Sequence, residues 1–143
     1  MTNAAVEFIA AELREINQRD KPLPLDEWPW AEDYYFEDRR PGSPFHGWGR
    51  LDRYEAIKAS SELFRLGSGR PHRTLLEVIA VRGETYVAYI ELVDAGTDYV
   101  FKHINCVAFD NEIRLVRRVV RFDVDDRDAA IALLDEWDAE IDD

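Results

Sequence analysis

The stretch RTLLEVIAVRGETYVAYIELVDAGTDYVFKHINCVAFDNEIRLVRRVVRFD, residues 73–123, decides how the rest of the chain is read. It divides into four β-strand candidates, residues 73–82, 84–93, 97–109 and 112–122, each rich in β-branched and aromatic side chains. The breaks between them are Arg82-Gly83-Glu84, Asp94-Ala95-Gly96 and Asp110-Asn111, residue types that tolerate the backbone of a hairpin turn. Connections this short force antiparallel neighbours, so the block is a meander.

Working outward toward the N-terminus, residues 4–18 carry Val6, Ile9, Leu13 and Ile16 at spacings of three and four, one apolar stripe of a helix. Lys21-Pro22-Leu23-Pro24 ends it, because proline has no amide to donate. Residues 25–32 read as a short helical turn packing Trp28 and Trp30 over the core; a stacking platform for single strands would need basic neighbours. Residues 34–38 form a short strand with Tyr34, Phe36 and Asp38 on one face and Tyr35 and Glu37 on the other. Arg39-Arg40-Pro41-Gly42-Ser43-Pro44 is loop, continued by His46-Gly47-Trp48-Gly49-Arg50. Asp52 followed by Glu55 forms a capping box for a second helix carrying Tyr54, Ile57, Ser61 and Phe64, which Gly67-Ser68-Gly69 stops.

Beyond the meander, Asp123-Val124-Asp125-Asp126-Arg127-Asp128 leads into a helix with Ala130, Leu133, Leu134, Trp137 and Ile141 on one stripe. A calcium loop needs glycine at its sixth position and glutamate at its twelfth; here those are Asp128 and Leu134. Acidic groups at a helix N-terminus satisfy its free amides and dipole, which accounts for the cluster. The whole order predicts an α+β domain spanning residues 1–143: a curved antiparallel sheet of the four-strand meander plus a short N-terminal strand, wrapped on one face by N-terminal, middle and C-terminal helices.

The 143 residues are 46% hydrophobic, ordinary for a globular domain, and carry a formal charge of −12. That charge argues against nucleic acid and against anionic membrane surfaces. The lone Cys106 forms no internal disulfide or zinc site and reads as a small buried hydrophobe. No apolar run approaches the roughly 20 residues of a spanning helix. With no signal-peptide pattern at the N-terminus, a cytoplasmic protein is expected. Neither a phosphate loop, a metal cluster nor a Ser-His-Asp order is present, so no cofactor is expected.

A two-residue turn at Asp110-Asn111 would pair Phe109 with Glu112 and His103 with Arg118. Tyr99, Phe101, His103 and Asn105 then share a face with Val116, Arg118, Val120 and Phe122. The opposite face holds Val100, Lys102, Ile104, Cys106 and Ala108 with Ile113, Leu115, Arg117 and Val119. Both are largely apolar, so the one without helices is expected to seat a second copy in a sheet-to-sheet homodimer. The His103 face mixes polar groups and rings as a small-molecule pocket does, although a wet edge or an interface would also suit it. His72 and His46 fall in loops.

Two patterns carry a resemblance. Tyr35-Phe36-Glu37-Asp38-Arg39-Arg40-Pro41-Gly42, followed by Gly49-Arg50-Leu51-Asp52, is similar to a strand-loop-helix signature of SnoaL-like proteins in the nuclear transport factor 2-like superfamily. Phe122-Asp123-Val124-Asp125-Asp126-Arg127-Asp128-Ala129-Ala130 resembles their strand-to-helix junction. The resemblance implies a cone-shaped α+β domain with a pocket between helices and concave sheet. Arg39 stands where that group often has histidine, which weakens an enzyme reading.

Three functions follow. The first is binding of a small, partly apolar molecule in a pocket lined by Tyr34, Phe36, Trp48, Phe101, Asn105 and Arg118. The second is cofactor-free acid–base catalysis by a lyase, isomerase or cyclase, with a desolvated Asp38 as base and His103 as acid. Tyr34, Asn105 or Arg118 would then hold developing negative charge. In the simpler reading Asp38 makes a salt bridge to Arg39, Arg40 or Arg50. The third is a dimeric interaction or regulatory module with no active pocket.

Overall fold

The computed structural model describes residues 2–18, 29–41, 49–66, 71–94 and 100–141, and the expectations for Trp28, His46, Trp48, Tyr99 and the glycines at 67 and 69 lie outside them. The elements are α1 (Ala4–Ile16), β1 (Trp30–Asp38), β2 (Arg50–Asp52), α2 (Arg53–Leu66), β3 (Pro71–Arg82), β4 (Thr85–Asp94), β5 (Val100–Asp110), β6 (Leu115–Phe122) and α3 (Arg127–Ile141). The described strands form one sheet in the order β2-β1-β6-β5-β4-β3. The meander β3 to β6 is antiparallel throughout, as its short connections require. The sheet as a whole is mixed rather than antiparallel, because β1 runs parallel to β6. A parallel partner comes from a distant crossover, which no local turn signal announces.

Local chemistry explains most of the boundaries. Asn3 caps α1, its Oδ1 accepting from Val6 N at 2.9 Å. The same side chain donates Nδ2–H to the carbonyls of Gly83 (2.8 Å) and Thr85 (2.9 Å), tying the helix to the β3–β4 turn. At the other end Asn17 exchanges two bonds with the backbone of Arg73, donating at 2.7 Å and accepting at 2.9 Å. The Asp52–Glu55 capping box is present, with bonds of 2.8 and 3.2 Å. Residues 30–32, expected in a helical turn, are instead the start of β1. Tyr54 points to solvent, and Ala56 joins Ile57 on the buried side of α2. His72 lies in β3 rather than a loop, and is exposed.

The β5–β6 connection differs from a two-residue hairpin. Asp110 pairs with Leu115, and residues 111–114 make the turn. Asp110 organises it: its carbonyl accepts from Arg114 N (2.8 Å), and Oδ1 accepts from Glu112 N (2.9 Å) and Ile113 N (3.3 Å). Arg114 closes the turn at φ 59°, the left-handed region where glycine is usual. Phe109 therefore faces Val116, not Glu112, an even shift that preserves the faces of β6. A bulge then sets Ala108 opposite Arg118, adding one residue and flipping every later side chain. Asn105 ends opposite Arg121.

Helices cover both faces of the sheet. On one side Val6, Tyr34, Tyr86, Val107, Val116 and Val119 pack with α1 and α2 residues. On the other, Val87, Ile104, Cys106, Ala108, Val120 and Phe122 pack beneath Ala130, Leu133, Leu134 and Trp137 of α3. The face expected to be bare for a second copy is thus covered by the chain's own last helix, which removes the argument for a sheet-to-sheet homodimer there. Among the described residues, no helix is long and apolar enough to cross a membrane.

Candidate ligand pocket

Between α1, α2 and the sheet lies a cavity of about 140 Å³. Its apolar wall includes Ile9 and Leu13 from α1, Trp30 and Phe36 from β1, Leu51 from β2 and Ile90 from β4. Trp30 and Tyr34 are stacked at 4.2 Å, a rigid aromatic side to the chamber. The polar groups lining it are Tyr34, Arg73, Tyr86, His103, Asn105 and Arg121. An apolar cavity of roughly this size, about 150 Å³, accepts benzene.

His103 projects from the middle of β5 and is 3% exposed. Among the described residues neither Nδ1 nor Nε2 has a hydrogen-bond partner. Burial, reinforced by the charges of Arg121, Arg40 and Arg73, pushes its pKa down to about 2. The ring is therefore neutral, with one N–H to give and one lone pair to receive.

Arg121 reaches the same chamber because of the β6 bulge. Its Nε–H donates to Asn105 Oδ1 at 3.1 Å, and its guanidinium lies 4.9 Å from the Phe36 ring centroid. Burial and the neighbouring Arg40 and Arg73 pull its pKa down to about 9, against the opposing pull of Asp38 and Tyr34. Arg73 is likewise lowered by burial, and the Tyr34 phenol is raised by it.

Asp38 lies outside the cavity lining. Its side chain is 0% exposed and is gripped by Arg40: Nε–H to Oδ1 at 2.9 Å, Nη2–H to Oδ2 at 2.7 Å and the backbone N–H to Oδ1 at 3.0 Å. The salt-bridge reading of Asp38 thus describes its geometry. Arg118, anticipated opposite His103, is on the α3 face, where it pairs with Glu140 at 3.1 Å and lies over Trp137. Phe101 is 49% exposed near the start of β5 and does not line the cavity. Tyr34, Phe36, His103 and Asn105 all line the cavity.

Arg73, Tyr86 and Arg121 are the pocket residues that sequence reasoning missed. A signal existed for Arg121, an arginine set between Val119-Val120 and Phe122 within an apolar strand. Assigning it to the cavity still required the bulge.

No family model matches the chain, and no curated protein does. Solved structures do match in fold. A protein of unknown function with a cystatin-like fold from Methylobium petroleophilum PM1 superposes with TM-score 0.60 at 15% identity, over 85% of this chain and 77% of that one. A candidate isomerase of the SnoaL-like family from Agrobacterium tumefaciens str. C58 gives 0.56 at 16% identity, over 82% and 95%. An NTF2-like protein of unknown function from Cytophaga hutchinsonii ATCC 33406 gives 0.55 at 6% identity, over 85% and 91%. The chain has the cystatin-like cone fold of SnoaL-like and NTF2-like proteins, a fold that hosts many chemistries.

Proposed function

We propose that the chain binds a small, partly apolar molecule in the cavity between its first two helices and the sheet. The observation that carries this reading is His103, buried against an open chamber with both ring nitrogens unpartnered among the described residues. Leaving a buried polar group unsatisfied costs about 1–3 kcal/mol, and a ligand that meets the imidazole offsets that cost. The apolar wall of Trp30, Phe36 and Ile90 supplies the contact area such a ligand needs.

The same geometry favours binding over acid–base turnover. Both Asp38 oxygens are engaged by Arg40, and an imidazole with its pKa near 2 is a weak base. An isomerase-like reaction, as the Agrobacterium neighbour's description suggests for that protein, would first have to free Asp38 from its ion pair. The open cavity also favours a binder over an interaction module with a filled core.

The test is His103→Leu, followed by thermal unfolding with and without a screen of small aromatic and alicyclic compounds. The expected result is a higher melting temperature for the empty variant and loss of the ligand-induced rise seen with the native chain. A native chain that no compound stabilises, with a destabilised variant, would refute the reading.

A further inference from the structure

We infer that the ligand is an organic anion, a compact carboxylate on an apolar body, held by Arg121 and Arg73 with Tyr34, Asn105 and His103 completing the shell. This inference rests on the binding reading above and adds the ligand's charge to it.

The first ground is a charge inversion. The chain carries −12 overall, yet the charged groups lining this cavity, Arg73 and Arg121, are both cationic. Arg40 stands close enough to depress both His103 and Arg121. Among the described residues the one carboxylate acting on Arg121 is Asp38, and it is chelated by Arg40. Neither Arg73 nor Arg121 forms a salt bridge among the described residues. Partly buried cations without counter-ions are costly in the empty protein, and an incoming anion relieves the cost.

The second ground is the imbalance of donors and acceptors. The hydrogen bond made by the Arg121 side chain uses Nε, which leaves the Nη fork for a ligand. That bond occupies Asn105 Oδ1 and so leaves the amide Nδ2 to donate. Tyr34 O–H, the Arg73 guanidinium and the His103 N–H add further donors to the lining. A planar carboxylate offers four lone-pair sites and matches a guanidinium fork in two parallel bonds.

The third ground is size and lining. The chamber of about 140 Å³ is lined for the most part by hydrocarbon, Ile9, Leu13 and Trp30 included. A ring-sized apolar group fits there; a strongly hydrated inorganic anion would leave that lining without contacts.

The test is calorimetric titration of the full chain with benzoate, cyclohexanecarboxylate, their neutral amides, and inorganic phosphate and chloride as controls. The carboxylates are expected to bind at least tenfold more tightly than their amides. Arg121→Met, which keeps an unbranched side chain beside Phe36, should remove that preference and leave amide binding within about twofold; Arg118→Met on the opposite face should change neither. Should Arg121→Met fail to fold, Arg73→Met gives the same readout, with circular dichroism melts as the control for folding. Carboxylate and amide binding equally would overturn the anion inference and leave the small-molecule reading standing. Phosphate or chloride competing as well as benzoate would overturn the organic part of it. No binding by any compound would overturn both readings together.

Discussion

The two faces of the sheet are built from the same strands and have opposite economies. On the α3 face Ile104, Cys106 and Leu134 are all 0% exposed and belong to one packed cluster. Burial there pushes the Cys106 thiol up to about 12, so it stays protonated and inert. On the α1–α2 face the sheet borders a cavity lined by an imidazole without a hydrogen-bond partner and two guanidiniums without an ion pair among the described residues. One face supplies stability, and the other gives some up to keep a site open. Such local departures from good packing and polar satisfaction are where function is expected.

The largest expected effect falls on the closed face. Leu134→Ala removes a fully buried side chain from a dense cluster and should cost about 3–4 kcal/mol in chemical denaturation, without altering ligand binding. A cost below about 1 kcal/mol would break the contrast, because it would mean that the α3 face is loosely packed too.

Next comes Asp38→Asn. Removing the buried carboxylate breaks its two-point pair with the Arg40 guanidinium, which is 18% exposed, and should cost about 3 kcal/mol. Denaturant unfolding would measure it. A nearly unchanged midpoint together with lost ligand affinity would move Asp38 from scaffold to site.

The third effect is a pH dependence. His103 is depressed to about 2 in the folded chain and returns to about 6.5 on unfolding, so the unfolded state takes up a proton that the folded state refuses. His103 leaves stability independent of pH above about pH 6.5 and lowers it as pH falls from there toward 2, at up to about 1.4 kcal/mol per unit. Subtracting the stability profile of His103→Leu from that of the native chain isolates this slope. A flat difference would place the ring in contact with water.

What was legible in the sequence follows from how local each cause is. The meander, the capping box and the buried stripe of α3 rest on neighbours within a few residues, and those signals held. The grouping of His103 with Asn105 needed only strand alternation along β5. The β6 half of the site depended on a four-residue turn that leaves Arg114 in a left-handed conformation and on a bulge two residues after the strand begins. Arg114 is stabilised there by stacking over Phe109 and over Phe8, the latter from a segment far away in the chain. Because the bulge changes parity, Arg118 and Arg121 trade faces, and with them the identity of the charged group beside His103. Which face α3 covers was similarly hidden, since an apolar stripe says that a helix packs but not against what.

The most direct test is an NMR titration of the His103 imidazole in the free protein. With the ring neutral, enclosed and unpartnered, its resonances should stay on one limiting shift from pH 8 to 5 and move only when a carboxylate ligand is added. A titration midpoint near 6.5 in the free protein would contradict the account, because it would mean that water or a charged partner already satisfies the histidine and that the pocket holds nothing in reserve for a ligand.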